Sequence, residues 1–578
     1  MMPKDRPRTL TLAGLVVLFV LPLFLRLAAV DHGLPRNYVP DTHAVRAALG
    51  MARDRDPIPP VARYSTYPNL MPYMLVGVFG AHFAFGCVDG SWSGAEEFAE
   101  HVLAEPAGVH LLARLLVALF GALTPWIVLR VAREVGLKRG AWVAAWLVGV
   151  GVLHVHFSVQ ERPWIPLVFF MALALWPASA YQRTPRVRTL GACGAACGLA
   201  FATHQAGLAT LGIGAFAWLA APVGWRARDL GRRASHGLAC VTAFGLVALL
   251  LGHPYLLVHG STPSAGVVGG AASDFSVGGQ GILLAFRWES VGRQLAAAFG
   301  YDPALWILAA AGVVGALRSP GARPCALFGL AWAGFFMSLE NDHVRYLLPL
   351  AVLLAIPAGF AAERLAGGGR GARLALLVLL ASPLVASLRL VHVLGSEDTR
   401  AEAERTLAQS LPAGALLAVD RYGPTADLNL ASLDRLASWR ELTTREAHRR
   451  TRLAAAADTA DGVDAVRLED LLSFDEREGT VELREHAAEL AGEGGGPAEL
   501  LMALGVTHLL FVDRSPGDPE HHALSAVIAG RSAEWVIDPS SGDARTRHAR
   551  LPTDLRFPLV DLWRVRRPGP WLGLYDLR

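Results

Sequence analysis

A set of ionisable residues in this chain stands at the ends of long apolar stretches: Asp41, His43, His154, His156, Glu161, Arg162, His204, His253, His343 and Arg345. Carboxylates and imidazoles in such places can move protons, and guanidinium groups can grip anions. Charged groups at membrane depth or at a membrane face are costly to keep, so they mark function by default. Once the apolar stretches are oriented, all of these residues fall on one side, which predicts chemistry at the outer face of a bilayer. A transporter would instead place polar groups near the midplane on broken helices, often with repeat symmetry, and the sequence carries no convincing repeat.

The elements that must position these residues are membrane helices. Of 578 residues 53% are hydrophobic and only 18% charged, and the mean hydropathy is +0.36; soluble domains rarely have this composition. The expected architecture is a polytopic α-helical membrane protein with about eleven transmembrane helices and a C-terminal soluble α/β domain. Residues 1–394 form the membrane domain and residues 395–578, rich in Arg, Asp and Glu, the soluble one. Apolar segments lie at 10–30, 107–131, 141–157, 163–181, 188–204, 206–222, 236–258, 303–318, 324–338, 345–362 and 373–391. The formal net charge of +3 is too small for the length to suggest nucleic acid as a partner.

Orientation follows from the basic loops. Lys4, Arg6 and Arg8 precede the first segment, whose length favours a retained anchor over a cleaved signal. Arg130, Arg133, Lys138 and Arg139, then Arg183, Arg186 and Arg188, then Arg226, Arg228, Arg232 and Arg233, then Arg318 and Arg323, then Arg364, Arg370 and Arg373 mark alternate connections as cytoplasmic. The series holds only if Tyr67–Phe85, apolar but interrupted by Pro68 and Pro72, is re-entrant or interfacial. Residues 31–106 are then one large outer loop. The N-terminus is expected in the cytoplasm and the C-terminal domain outside, in a multi-pass protein of the cell's inner (plasma) membrane.

Several motifs, in order along nearly the whole chain, resemble those of lipid-dependent glycosyltransferases of the GT-C superfamily, the group that includes protein O-mannosyltransferases and aminoarabinose transferases. Pro40-Asp41 opens an amphipathic stretch, Thr42 to Arg53, like the juxtamembrane helix after that family's acidic motif. Tyr64 to Tyr73, with Tyr67-Pro68-Asn69-Leu70, is similar to its Tyr-Pro-Pro-Leu segment. His156-Phe157-Ser158 through Glu161-Arg162-Pro163 resembles its second outer acidic site, and Gly198 to His204 a pattern in which Lys often stands at the His204 position. His253-Pro254-Tyr255 is similar to an Asn-Pro-Tyr element, and His343-Val344-Arg345-Tyr346-Leu347-Leu348-Pro349 to an Arg-Tyr-Leu-Leu-Pro helix start.

The resemblance implies transfer of a sugar, hexosyl or pentosyl, from a polyisoprenyl-phosphate donor to an acceptor at the outer membrane face, with inversion. Asp41 is implied as the general base that takes the acceptor's proton. Arg345, His343 and His204 are implied as donor-phosphate ligands, with Arg345 able to offer a bidentate contact. Glu161 is implied beside the catalytic base, and Arg162 and Tyr67 as acceptor-side or supporting groups. The donor is a lipid-linked sugar, no cofactor or metal is implied, and the acceptor is a protein, lipid or glycan. Many family members carry a second acid directly after the first, whereas Thr42 and His43 follow Asp41 here.

Each residue also has a plainer use. Asp41 can cap the helix that begins at Thr42, Arg345 can mark a helix's water boundary, Glu161 and Arg162 can form a local surface pair, and His154, His156 and His253 can simply pack. A flippase or transporter of a lipid-linked glycan, with the same topology, is the alternative function, and a non-catalytic envelope assembly factor a third. The Gly-, Ala- and Ser-rich loop His259–Asp302 is suited to a lid or to a plain linker. In the tail, strands are expected at Leu416–Asp420 and Thr507–Val512 and helices at Asp398–Gln409 and Ala498–Leu504. Cys193 and Cys197, four apart beside Gly191, Gly194 and Ala195, read as small packing residues, and no disulfide framework is implied.

Overall fold

The computed structural model describes residues 14, 16–38, 42–60, 67–223, 226–260, 275–277, 280–282, 286–339, 344–456, 461–475, 480–492, 494–513, 519–540 and 558–578. Among them, five helices are long and apolar enough to cross a membrane, or up to eight if each bent pair counts as one span. Shorter apolar helices, Val16–Leu27, Val187–Thr203 and Gln205–Ala220, accompany them. This is a polytopic membrane fold, and its helices fall where the apolar segments place them.

Two of those segments are broken, each for a local reason. Segment 141–157 is the pair Arg139–Val150 and Val152–Ser158, bent by 49° at Gly151. The buried Asp302 accepts the backbone N–H groups of Val152 at 2.8 Å and Leu153 at 3.4 Å, so the first two N–H groups of the new helix start are satisfied in an apolar surrounding. Segment 345–362 is Val344–Leu353 and Ala355–Gly367, bent by 48°. Pro357 has no N–H for the Leu353 carbonyl, and that oxygen instead takes the Cys325 thiol at 3.3 Å.

Close packing in the membrane domain uses small residues. A Cβ on Gly194 would lie 2.0 Å from the Cys240 carbonyl oxygen, and one on Gly312 would lie 1.9 Å from that of Pro357, so helices 187–203 and 227–247, and helices 303–318 and 355–367, meet backbone to backbone. Cys193 and Cys197 of the first helix are buried, the Cys197 thiol on the Thr210 carbonyl at 3.1 Å, and all five cysteines are free of disulfides.

The ambiguous segment is one continuous helix, Leu70–Asp89, preceded by the amphipathic helix His43–Asp54. It is long enough to cross a membrane, and the segments that flank it on either side both touch the soluble domain. At its start, the Asn69 N–H bonds to the Gly252 carbonyl at 2.9 Å and the Tyr73 hydroxyl to the Pro57 carbonyl at 2.9 Å, close to Arg53, which reaches Thr444 of the soluble domain at 3.2 Å. At its end, helix Ala95–Ala104 packs on the soluble-domain helix Thr444–Ala455.

The C-terminal domain carries a five-stranded sheet with strands Ala465–Arg467, Leu417–Val419, His508–Asp513, Trp571–Asp576 and Trp535–Ile537 side by side in that order. The first three are parallel and the last two pair antiparallel. His508–Asp513 is buried on both faces, as expected of a central strand covered by helices on both sides.

Candidate functional site

Glu161 is the centre of a buried polar network. It lies in the short connection between helices Val152–Ser158 and Trp164–Arg183, and its side chain is fully buried. The Arg114 Nε donates to its Oε2 at 2.6 Å, while the His110 Nδ1 at 2.9 Å and the Asn37 Nδ2 at 2.6 Å donate to its Oε1. Arg114 gives three further donors to the carbonyls of Val30 at 3.0 Å and His32 at 2.7 Å and to the Asn37 Oδ1 at 2.7 Å. Burial pushes the Glu161 carboxyl up, but the His110 hydrogen bond and the Arg114 charge outweigh it and hold the group at about 2.

The plainer use of Glu161 and Arg162, as a local surface pair, does not hold. Both are buried, Arg162 at 2% exposure, and the partner of Glu161 is Arg114, which stands 47 residues earlier in the chain. His110 and Arg114 are four residues apart on helix Ala107–Glu134 and so share one face. A charged residue inside an apolar run was the signal for both.

A second group forms a line of rings along the same side of the molecule. His43 lies 5.9 Å from Tyr67, Tyr67 lies 5.2 Å from His204, and His204 lies 4.2 Å from Trp164. Trp164 is 5.2 Å from Tyr346, over whose ring Arg345 stands at 5.9 Å. The structure thus brings two of the expected site residues, Tyr67 and His204, into contact, and Arg345 adjoins the far end of the line through its neighbour Tyr346; Trp164 stands only three positions after Glu161. The His204 Nδ1 accepts the Ala206 N–H at 3.0 Å, so the ring proton is on Nε2 and the residue can donate a hydrogen bond without being charged. Trp164 and Tyr346 are not among the expected site residues, and His43, one of the outer ionisable groups, has no role assigned to it from the sequence.

A further buried cation stands inside the first apolar stretch. Arg26, at 0% exposure, bonds the carbonyls of Pro22 at 2.6 Å and Gly149 at 3.0 Å and meets the His154 Nδ1 at 2.7 Å. The His156 Nε2 is 2.8 Å from the Gln160 amide nitrogen. His253 packs on Phe201 and meets the Tyr255 hydroxyl at 3.0 Å. These histidines are packing and network residues.

Asp41 and His343 lie outside the described residues; the N-cap position of helix His43–Asp54 is taken by Thr42. Of the loop 259–302, residues 288–301 form a helix, and most of the stretch before it also lies outside the described residues. Among the described residues, one group offers three metal-ligating atoms within 4.8 Å of one another, His508, Glu534 and Asp576. It sits in the soluble sheet, and Arg578 already supplies a cation to both Asp576 oxygens, at 3.1 and 2.9 Å.

Residues 108–252 match the family model described as dolichyl-phosphate-mannose-protein mannosyltransferase. This segment contains His110, Arg114, Glu161, Arg162, Trp164 and His204. No curated protein sequence matches the chain. Among solved structures, ArnT from Cupriavidus metallidurans bound to undecaprenyl phosphate is similar at 15% identity and a TM-score of 0.44, over 98% of this chain and 99% of that one. The Archaeoglobus fulgidus oligosaccharyltransferase is similar at 13% identity and a TM-score of 0.44, over 87% and 69%. The Saccharomyces cerevisiae protein O-mannosyltransferase Pmt1-Pmt2 complex bound to its sugar donor is similar at 17% identity and a TM-score of 0.31, over 43% and 34%.

Proposed function

We propose that this chain is a membrane glycosyltransferase that moves a sugar from a polyisoprenyl-phosphate donor to an acceptor on the side of the soluble domain. The observation that carries the reading is the family match over residues 108–252, because that segment supplies both the buried Glu161 network and the His204 end of the ring line. Reaction is at the outer face of the inner (plasma) membrane, with the N-terminus cytoplasmic, residues 31–106 forming one outer loop, and residues 395–578 extracytoplasmic. That the segments flanking helix Leu70–Asp89 on either side both touch the soluble domain supports this topology.

In this reading Asp41 is the general base. It removes the proton from the acceptor as that nucleophile attacks the anomeric carbon, and the phosphate leaves with its lipid. Arg345 and His343 receive the charge developing on the leaving phosphate, and His204 adds its Nε2–H. Tyr67 and Trp164 line the approach with rings. Glu161, ionised and with both oxygens occupied, is a poor proton acceptor at neutral pH; it positions the Asn37 segment that leads to Asp41. Arg162 is a supporting group beside it. A sugar of hexose or pentose type and a protein, lipid or glycan acceptor all suit this chemistry.

The test is transfer of label from radiolabelled polyisoprenyl-phosphate sugars to a membrane extract by purified protein and its Asp41→Asn variant. Transfer by the wild type, with donor binding but no transfer by the variant, supports the reading. Binding or movement of the lipid by both proteins without transfer by either replaces it with a flippase.

A further inference from the structure

We infer that residues 36–38 are a positioning clamp through which the soluble domain sets the geometry of the membrane-domain site. The inference rests on the glycosyltransferase reading for its catalytic consequence, but its structural content stands alone. Arg36 reaches into the soluble domain with a forked contact to Glu404, its Nε 2.9 Å from one oxygen and its Nη2 on the other, and its Nη1 lies 2.9 Å from Asp427. Tyr38 lies under the Arg400 guanidinium at 4.0 Å from the ring centroid, and Arg400 is itself held by Asp398 at 2.7 and 2.8 Å. Between them Asn37 points the other way, donating to Glu161 at 2.6 Å and accepting from Arg114 at 2.7 Å.

The backbone makes this division of directions. Asn37 has φ +52°, a left-handed conformation that Asn tolerates better than other residues with a side chain. That turn sends the side chains at 36 and 38 to one domain and the side chain at 37 to the other. A bidentate Arg–carboxylate contact specifies orientation as well as charge, and a ring under a guanidinium adds a second fixed plane. The soluble domain is itself anchored elsewhere: Arg389 of helix Arg370–Leu394 bonds the carbonyls of Leu562 at 2.9 Å and Val565 at 2.8 Å. A domain fastened at that point can therefore hold the outer segment as a fixed arm. Asp41 follows Tyr38 by three residues, so the clamp bears on the base without touching substrate.

The experiment compares full-length protein carrying Arg36→Glu, the charge-swapped Arg36→Glu/Glu404→Arg/Asp427→Asn, and Arg36→Lys. Hydrogen exchange is followed in peptides covering 31–54 and 107–134, and transfer kinetics are followed with the labelled donor that serves the wild type. The expected result is at least tenfold faster exchange in 31–54 for Arg36→Glu, recovery in the swap, and an intermediate effect for Arg36→Lys, which keeps the charge and loses the fork. Exchange in 107–134 is expected to stay unchanged. In the same series kcat falls about tenfold or more in Arg36→Glu while donor KM changes less than threefold, and the swap restores it. Unchanged exchange in 31–54, or loss that the swap does not restore, overturns the clamp. Transfer absent from the wild type overturns the glycosyltransferase reading alone, because the exchange data still decide the clamp.

Discussion

Arg114 donates to Glu161 at 2.6 Å with both side chains fully buried. A buried ion pair contributes little over an apolar pair of the same volume, but removing one member strands the other charge. Here the stranded group would be Arg114, which also ties the carbonyls of Val30 and His32 to helix Ala107–Glu134.

Glu161→Leu should therefore cost roughly 3–5 kcal/mol, whereas Glu161→Leu/Arg114→Met should cost much less than the single change. Thermal unfolding in detergent reads both. A single variant as stable as wild type would mean that the pair does not hold the outer segment.

The same pair makes acid stability specific. The folded Glu161 carboxyl is held at about 2 against an ordinary value of 4.5, so its contribution is fully present above 4.5 and is lost as pH falls toward 2. A shift of this size corresponds to about 3 kcal/mol. Unfolding midpoints measured from pH 6 down to pH 2 should fall more steeply for wild type than for Glu161→Gln, with the curves parallel above pH 5.

His204→Phe keeps the ring contacts with Tyr67 and Trp164 and removes the Nε2–H, together with the Nδ1 acceptor of the Ala206 N–H. A hydrogen bond to a charged phosphate contributes about 1.5–3 kcal/mol, so donor affinity should weaken roughly tenfold to a hundredfold. Binding of polyisoprenyl phosphate, titrated against the purified variant, checks this; unchanged affinity would remove His204 from the phosphate site.

Arg26 is a buried cation whose contacts are two carbonyls and a histidine. Replacing such a charge with an apolar side chain of similar length relieves its desolvation. Arg26→Met should leave stability unchanged or raise it by about 1–3 kcal/mol. A fall in melting temperature would show that its carbonyl contacts are worth more than that desolvation.

The sequence by itself determined that apolar membrane helices fill most of the chain and that an α/β domain follows them. It also located the strands at 417–419 and 508–513 within a residue or two, because apolar run length and strand pattern are local properties. Short strands such as Ala465–Arg467 and Trp535–Ile537 escaped notice, since three residues carry too little pattern without the neighbours that bury them. Only the tertiary structure decided the partners. Glu161 meets Asn37 across 124 residues and Arg36 meets Glu404 across 368, and no spacing rule reaches so far. The cost of a charge in an apolar run is legible along the chain; the group that offsets it is chosen by how the helices pack.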